Sequence, residues 1–272
     1  MSGLENKYKE FPDFEKPPIG EVVCGLVFEK IESFKGPHLG LFWQKVREAF
    51  PKCEHAPPLD FRPESLELMK NLPLPRIWFI NEHDNMLIQL QNDRIFYNWR
   101  KTREDEPYPR YRIIIKAFEH NLKVFHKFLE EEGLGTIKPV SCELSYINHI
   151  PKGDGWETLS DIHEVFPDLD WRPGSEGERF LPEPRTIAWN TVFLLEDKGS
   201  LNVSLDYGLR RPDKTPVLVL KLTAIGLGAN KTMEVVWDWF ELAHKWIVCG
   251  FSDLTGPMVQ KEVWKRISDG RC

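Results

Sequence analysis

Long apolar runs are missing from this 272-residue chain. The longest are stretches such as Val217-Leu218-Val219-Leu220, far short of the roughly 20 residues a bilayer-spanning helix needs, so no transmembrane segment is expected. Cysteine pairs are missing too. Cys24, Cys53, Cys142, Cys249 and Cys272 are odd in number, lie far apart and form no Cys-x-x-Cys. All five are expected to be reduced, with Cys24, Cys142 and Cys249 as small buried hydrophobes among apolar neighbours. The first ten residues hold no apolar run, so a signal peptide is not expected and the cytoplasm is the expected compartment. Nor is there an excess of positive charge. The 36 basic and 42 acidic residues leave a formal charge of −6, which disfavours a dedicated nucleic-acid-binding domain, since such domains rely on Lys and Arg to displace counterions.

Recognisable catalytic spacing is scarce as well. The eight histidines form no His-x-x-x-His or His-Glu-x-x-His pair, so no metal is expected. Gly226-Leu227-Gly228-Ala229-Asn230 lacks both the Gly-Lys-Ser/Thr ending of a phosphate loop and the third glycine of a dinucleotide fingerprint, and reads as a turn and cap. No cofactor is expected. Ser145 and His149 share a strand face, but four residues at about 3.3 Å each separate their Cα atoms by about 13 Å. A nucleophile and its base must touch. The expectation is therefore of a non-catalytic protein, with an enzyme of unrecognised site as the remaining reading.

What is present is a globular composition, 41% hydrophobic and 29% charged, with 10 Trp and 21 Pro. Proline at about 8% exceeds the usual share of about 5%, and it gathers in the N-terminal tail, 1–18, and in two loops. From Glu21 the chain alternates, with Val22, Cys24, Leu26 and Phe28 on one strand face. Leu39, Phe42, Val46, Ala49 and Phe50 then recur at helical spacing until Pro51. An irregular proline-rich connection to Pro75 follows, with a short helix at Glu64 to Lys70. Strands are predicted at Arg76 to Asn81, Met86 to Gln91 and Arg94 to Arg100, and a long helix carries Ile114, Phe118, Leu122, Phe125 and Leu129 to Gly133.

The same order restarts at Val140. A strand runs to Ile150, Thr158 and Asp161 form a capping box before a short helix, and three strands follow at Thr186 to Leu195, Leu201 to Leu209 and Val217 to Ile225. A long helix runs through Met233, Val236, Trp237, Phe240, Ala243, Ile247 and Phe251. Pro257 then opens a final helix with Val263, Trp264 and Ile267. Equivalent strands start roughly 110 to 123 residues apart. The expected fold is α+β: two similar β-α-β-β-β-α units, 19–135 and 136–272, form an antiparallel sheet with helices on one face. The other face is expected to be open.

The segment Leu90-Gln91-Asn92-Asp93-Arg94-Ile95-Phe96-Tyr97-Asn98-Trp99-Arg100, then Tyr108-Pro109-Arg110-Tyr111, resembles a pattern of a sporadically distributed bacterial family. Its members are uncharacterised proteins of roughly 250 residues. Ser145-Tyr146-Ile147-Asn148-His149-Ile150 is similar to that family's Tyr-Ile-Asn strand, and Leu242 to Ile247, Phe251 to Thr255 and Trp264 resemble its C-terminal block. Glu143 and Ser145 depart from the family pattern, which has a Leu/Gly-type residue and an Arg there. The resemblance implies an accessory or defence-associated role and no particular activity.

On the open face, Gln89 and Gln91 share a side, as do Arg94, Asn98 and Arg100. In the second half Ser141, Glu143, Ser145 and His149 share one side, Asn202, Ser204 and Asp206 another, and Lys221 and Thr223 a third. Any solvated sheet surface carries polar residues, but amides, guanidinium groups and a histidine suit selective hydrogen bonding. The candidate binding residues are Gln89, Gln91, Arg94, Asn98, Arg100, Glu143, His149 and Asn202. Trp239, off the apolar stripe of its helix, is a candidate contact anchor or a core residue. The expected partner is a protein or a small polar ligand. The alternative is nucleic acid or nucleotide, held by Arg94, Arg100, Arg103, Arg110, Arg112, Arg210 and Arg211 among aromatics. Replacing Arg94, Asn98 and Arg100 together is expected to abolish binding without unfolding, as read by pull-down beside circular dichroism.

Overall fold

The computed structural model describes residues 11–56, 74–170, 180–210 and 213–270. In chain order the elements are β1 (Pro12–Phe14), β2 (Ile19–Phe28), α1 (Gly36–Val46), β3 (Lys52–Ala56), β4 (Arg76–Ile80), β5 (Met86–Leu90), β6 (Arg94–Arg100), α2 (Tyr111–Glu131) and β7 (Pro139–Pro151). A short α3 (Ile162–Val165), β8 (Ala188–Leu194), β9 (Ser200–Leu209), β10 (Pro216–Gly226), α4 (Met233–Leu254), α5 (Pro257–Glu262) and β11 (Arg266–Asp269) follow. Nine strands form one sheet in the order β3-β4-β5-β6-β2-β7-β10-β9-β8, and β1 pairs with β11 separately. Helices beside an antiparallel sheet make this an α+β fold. Contacts group the chain into two compact units: Glu21–Leu144 with Ile225–Trp239, and Met1–Gly20 with Ser145–Ala224 and Phe240–Cys272.

In the unit built on Glu21–Leu144, strand register creates one apolar face. Val22, Cys24 and Leu26 lie opposite Trp99, Tyr97 and Ile95; Tyr97 and Ile95 lie opposite Ile88 and Leu90; and Ile88 and Leu90 lie opposite Phe79 and Ile77. Directly opposed residues point to the same side of a sheet, so all of these face α1 and α2. Ring centroids of Phe42 and Phe79 are 5.8 Å apart, those of Phe42 and Phe125 5.4 Å, and those of Phe28 and Phe125 5.9 Å. The i, i+3/i+4 stripe of α2, Ile114, Phe118, Leu122, Phe125 and Leu129, is buried. Gly133, at φ 63°, ends the helix in the left-handed conformation, and the Leu134 N–H donates back to the Leu129 carbonyl.

The proline-rich connection is not irregular at its start. Lys52–Ala56 pairs with β4 from Lys52↔Ile80 to Ala56↔Arg76. Lys-Cys-Glu-His-Ala has no apolar alternation, because an end strand is held by its backbone partner rather than by a buried face. The short helix read at Glu64 to Lys70 lies outside the described residues.

In the unit built on Ser145–Ala224, Leu201, Val203 and Leu205 of β9 and Leu218, Leu220, Leu222 and Ala224 of β10 are buried. A Cβ on Gly250 of α4 would meet Leu201 at 3.3 Å and Leu222 at 3.8 Å, so this side of the strands faces α4. Residues 12–14 of the segment read as a tail are β1, in register with β11. Its Phe14 is buried, with ring centroids 5.6 Å from Phe251 and 6.3 Å from Trp264. Pro257 opens α5 as expected, but that helix stops at Glu262. Lys265 takes φ 55° and the chain turns into β11. Backbone bonds from Glu15 to the Lys265 carbonyl and from Lys16 to the Trp264 carbonyl replace the expected helical ones. Thr158 and Asp161 do form the capping box.

Two expectations fail on α4 and its neighbours. Trp239 is 2% exposed, whereas Trp237 is half-buried. Trp239 lies three residues after Val236 and four before Ala243, which places it inside the buried stripe. It is a core residue, not a contact anchor. Cys24, Cys53 and Cys142 are free thiols, but Cys249 is disulfide-bonded, because distance along the chain does not report distance in space. Among the described residues no helix is long and apolar enough to cross a membrane.

His244 is buried on α4, 6.1 Å from the Phe11 ring and 6.2 Å from the Tyr146 ring between centroids. Burial pulls its pKa down to about 3, so the folded chain keeps the imidazole neutral. An unfolded histidine protonates near 6.5. Between those values the unfolded state binds the extra proton, so stability present above about pH 6.5 is lost as pH falls. The unfolding free energy from urea titrations is expected to hold above about pH 6.5 and to fall below it, by up to about 1.4 kcal/mol per pH unit. His244→Phe is expected to flatten that part of the profile.

Candidate functional site

The sheet face turned away from α1 and α2 carries a chain of polar side chains. On β4, Arg76 and Trp78 alternate with the helix-facing Ile77 and Phe79, so they take the other side. Trp78 stands opposite Gln89, Gln89 opposite Phe96, and Asn98 opposite Val23. Arg76, Trp78, Gln89, Gln91, Arg94, Phe96, Asn98, Arg100 and Glu21 therefore share one face. The two sets read separately in the sequence, Gln89 with Gln91 and Arg94 with Asn98 and Arg100, are one set.

Hydrogen bonds run diagonally across four strands. Arg76 Nη1 donates to Gln89 Oε1 at 2.9 Å and Trp78 Nε1 donates to the same oxygen at 3.1 Å. Gln89 Nε2 donates to Asn98 Oδ1 at 2.7 Å, and Asn98 Nδ2 to Glu21 Oε1 at 2.6 Å. The relay thus begins at a guanidinium and ends at a carboxylate. At its cationic end the Arg76 guanidinium lies 5.4 Å from the centroid of the Trp78 ring. Its Nε is buried with no hydrogen-bond partner, and among the described residues Arg76 has no acidic partner. Burial, then the nearby Arg94 charge, lowers the Arg76 pKa. Arg94 itself is neutralised by Asp93 through Nε at 3.0 Å and Nη2 at 2.9 Å. Arg76 is left as a partly buried fork with an unbonded Nε, a geometry that suits a carboxylate or phosphate oxygen.

This face is not open as expected. Gln89, Gln91 and Asn98 are buried, as are Leu87, Ile80 and Phe96 beside them. The apolar members explain why: Phe96 lies across Gly25, where a Cβ would stand 2.2 Å from its ring, and such a surface is stable only out of water. Arg94 and Arg100 are half-buried, and Arg100 Nε donates to the Asp84 carbonyl at 2.6 Å. In the other unit the face is partly solvated. His149 is exposed and lies against Gly20, 2.7 Å from a Cβ built there, and Lys221 and Asp206 are exposed. Asn202 is half-buried, and its Nδ2 donates to Ser200 Oγ at 3.2 Å and to the Thr223 carbonyl at 3.4 Å; Glu143, which falls in the Glu21–Leu144 unit, is half-buried too. Ser145 is buried with its hydroxyl 2.9 Å from that of Thr223, a structural pair. Among the described residues no cluster of His, Cys, Asp or Glu is arranged to hold a metal.

Sequence reasoning missed Arg76, Trp78 and Glu21. A signal existed in Arg76-Ile77-Trp78-Phe79, where an Arg and a Trp two apart occupy the side opposite an apolar pair.

No protein-family model and no curated protein matches the chain. Among solved structures it is similar to the substrate-free duplicated taurocyamine kinase from Schistosoma mansoni, at 12% identity and TM-score 0.36 over 92% of this chain. It spans about a third of that protein, 34%. A second likeness is to Methanococcus jannaschii TBP, at 11% identity and TM-score 0.26, over 88% of this chain and 99% of the other. Neither likeness is close enough to bear on function.

Because Asn98 is buried in the relay, replacing Arg94, Asn98 and Arg100 together is now expected to destabilise the fold as well. Gln89→Leu orphans donors on Arg76 and Trp78 and an acceptor on Asn98, and is expected to cost about 1–3 kcal/mol in chemical denaturation. A Gln89/Asn98 double-mutant cycle is expected to show coupling of about 0.5–3 kcal/mol.

Proposed function

We propose that the chain is a non-catalytic binding protein that recognises a carboxylate or phosphate group, on a protein partner or a small polar ligand, through Arg76 and Trp78. The buried, unbonded Nε of Arg76 carries this reading. A buried donor left unsatisfied on a partly exposed cation costs free energy, and an incoming oxygen anion recovers it. The amide relay through Gln89 and Asn98 holds the fork in place, and Glu21 balances its charge at a distance. Gln91, Arg94 and Arg100 flank the site on the same face, while His149 and Asn202 belong to the partly solvated face of the other unit, and Glu143 sits near the end of the Glu21–Leu144 segment. The proposed setting, an accessory or defence-associated factor of a bacterial cytoplasm, rests on the resemblance of the Leu90–Arg100 segment.

We also read the two halves as copies of one β-α-β-β-β-α unit. The orders β4-β5-β6-β2 and β8-β9-β10-β7 support this, since each places its first strand beside its last.

Nucleic acid is the second reading. Guanidinium groups over Trp78 and over Tyr108, the latter with Arg110 at 5.9 Å, favour it. Against it, Arg94, Arg103 and Arg210 each pair with a nearby aspartate, which leaves little cation for a phosphate backbone.

Titration calorimetry with inorganic phosphate and small mono- and dicarboxylates is expected to detect binding that Arg76→Lys weakens about 10- to 100-fold, the equivalent of a charged hydrogen bond. Equal binding by the wild-type and Lys forms, or none by either, overturns the anion reading. Affinity for single-stranded oligonucleotides that falls steeply with salt would favour the second one.

A further inference from the structure

We infer that β8 is a pairing edge through which two copies of this chain join as an antiparallel two-fold dimer. The two ends of the nine-stranded sheet differ in chemistry. At one end β3 carries Lys52 and Glu54, charges of the kind that normally keep an edge from pairing, together with the polar His55. At the other, β8 reads Ala-Trp-Asn-Thr-Val-Phe-Leu, with no charge and no proline. Val192 is 58% exposed, Phe193 41% and Leu194 76%. These are consecutive residues, so both faces of the strand present apolar side chains.

The backbone at this edge is ordered for pairing. Tyr207 N–H donates to the Ile187 carbonyl at 3.0 Å and Leu195 N–H to the Gly199 carbonyl at 2.8 Å, in line with the register Ala188↔Asp206 to Leu194↔Ser200. Antiparallel ladders alternate bonded and non-bonded pairs, so odd-numbered residues bond β9. Ala188, Asn190, Val192 and Leu194 turn their N–H and C=O groups outward.

A second β8 satisfies that row in one full-length register, centred on Thr191. Ala188 then faces Leu194 of the second copy and Asn190 faces its Val192, giving about eight backbone hydrogen bonds. Trp189 faces Phe193 on one side of the sheet, an aromatic cross-strand pair made twice. No like charges meet. Beyond the strand, Arg185 of one copy comes to the Glu196 and Asp197 end of the other. Among the described residues Arg185 has no acidic partner, so the charges at the two ends of the pair are complementary.

One strand pair buries less than the usual 1,200–2,000 Å² of stable interfaces, so association is expected at a Kd of roughly 1–100 µM. Sedimentation equilibrium on the full chain from about 1 to 500 µM is expected to show monomer and dimer. Thr191→Lys sets two cations opposite each other on the axis and is expected to weaken association at least about tenfold. Thr191→Cys, in a Cys53→Ser background because Cys53 is an exposed free thiol, is expected to give a covalent dimer under mild oxidation. Val192→Cys in the same background is not, since its two copies would lie beyond the roughly 7 Å that a disulfide bridges. A wild-type chain that stays monomeric at the highest concentration, as it would if another protein's strand were the true occupant, overturns the inference. So does cross-linking of Thr191→Cys no faster than Val192→Cys.

Discussion

Burial of the phenylalanine cluster Phe28, Phe42, Phe79 and Phe125 against one side of β2, β4, β5 and β6 is the constraint on which the candidate site depends. Strand side chains alternate, so a slip of one residue would expose the whole apolar set and bury its polar complement under the helices. Register is thereby fixed. Once it is fixed, Arg76, Trp78, Gln89, Asn98 and Glu21 must share the opposite face, whatever their chemistry. Packing on one side of the sheet thus determines which polar groups meet on the other.

That opposite face is only partly polar, and this decides how its polar members behave. Ile80, Leu87 and Phe96 are buried among them, so the amides of Gln89 and Asn98 cannot rely on water and must bond one another. An amide offers both donor and acceptor, which lets it pass a hydrogen bond along a row of strands. A row of amides ends wherever a group offers only one of these. Here the ends are a guanidinium, which only donates, and a carboxylate, which only accepts. Within the relay the one unmet demand falls at Arg76, because Nη1 is held by Gln89 while Nε points elsewhere.

Much of the fold was readable because it is local. Alternation in Arg94–Arg100, the apolar stripe of α2, Gly133 at its end and the Thr158–Asp161 cap are all decided within a few residues of chain. What escaped depends on partners far away in sequence. β3 is a strand because β4 lies beside it, β11 is a strand because β1 does, and Cys249 is oxidised by proximity in space. The candidate site was half legible. Gln89 and Asn98 were singled out as amides on strands, but Arg76 and Trp78 were passed over because their strand was judged by its apolar members. Trp239 was misplaced by one position around its helix, since Val236 and Ala243 define a stripe wide enough to include either neighbour of Asp238.

The difference between the two ends of the sheet bears on more than pairing. An unguarded edge that accepts a strand accepts further strands as well if the far edge is also bare, and the product is an open fibre. Lys52, Glu54 and His55 on β3 block that continuation. With β8 receptive and β3 charged, pairing through β8 uses the bare end of the nine-stranded sheet in each copy and leaves the charged end outward. The symmetry is then closed, and the net charge of −6 on each chain opposes any looser association. An apolar edge strand is a hazard in isolation, but opposite a charged one it is a surface that can be used once.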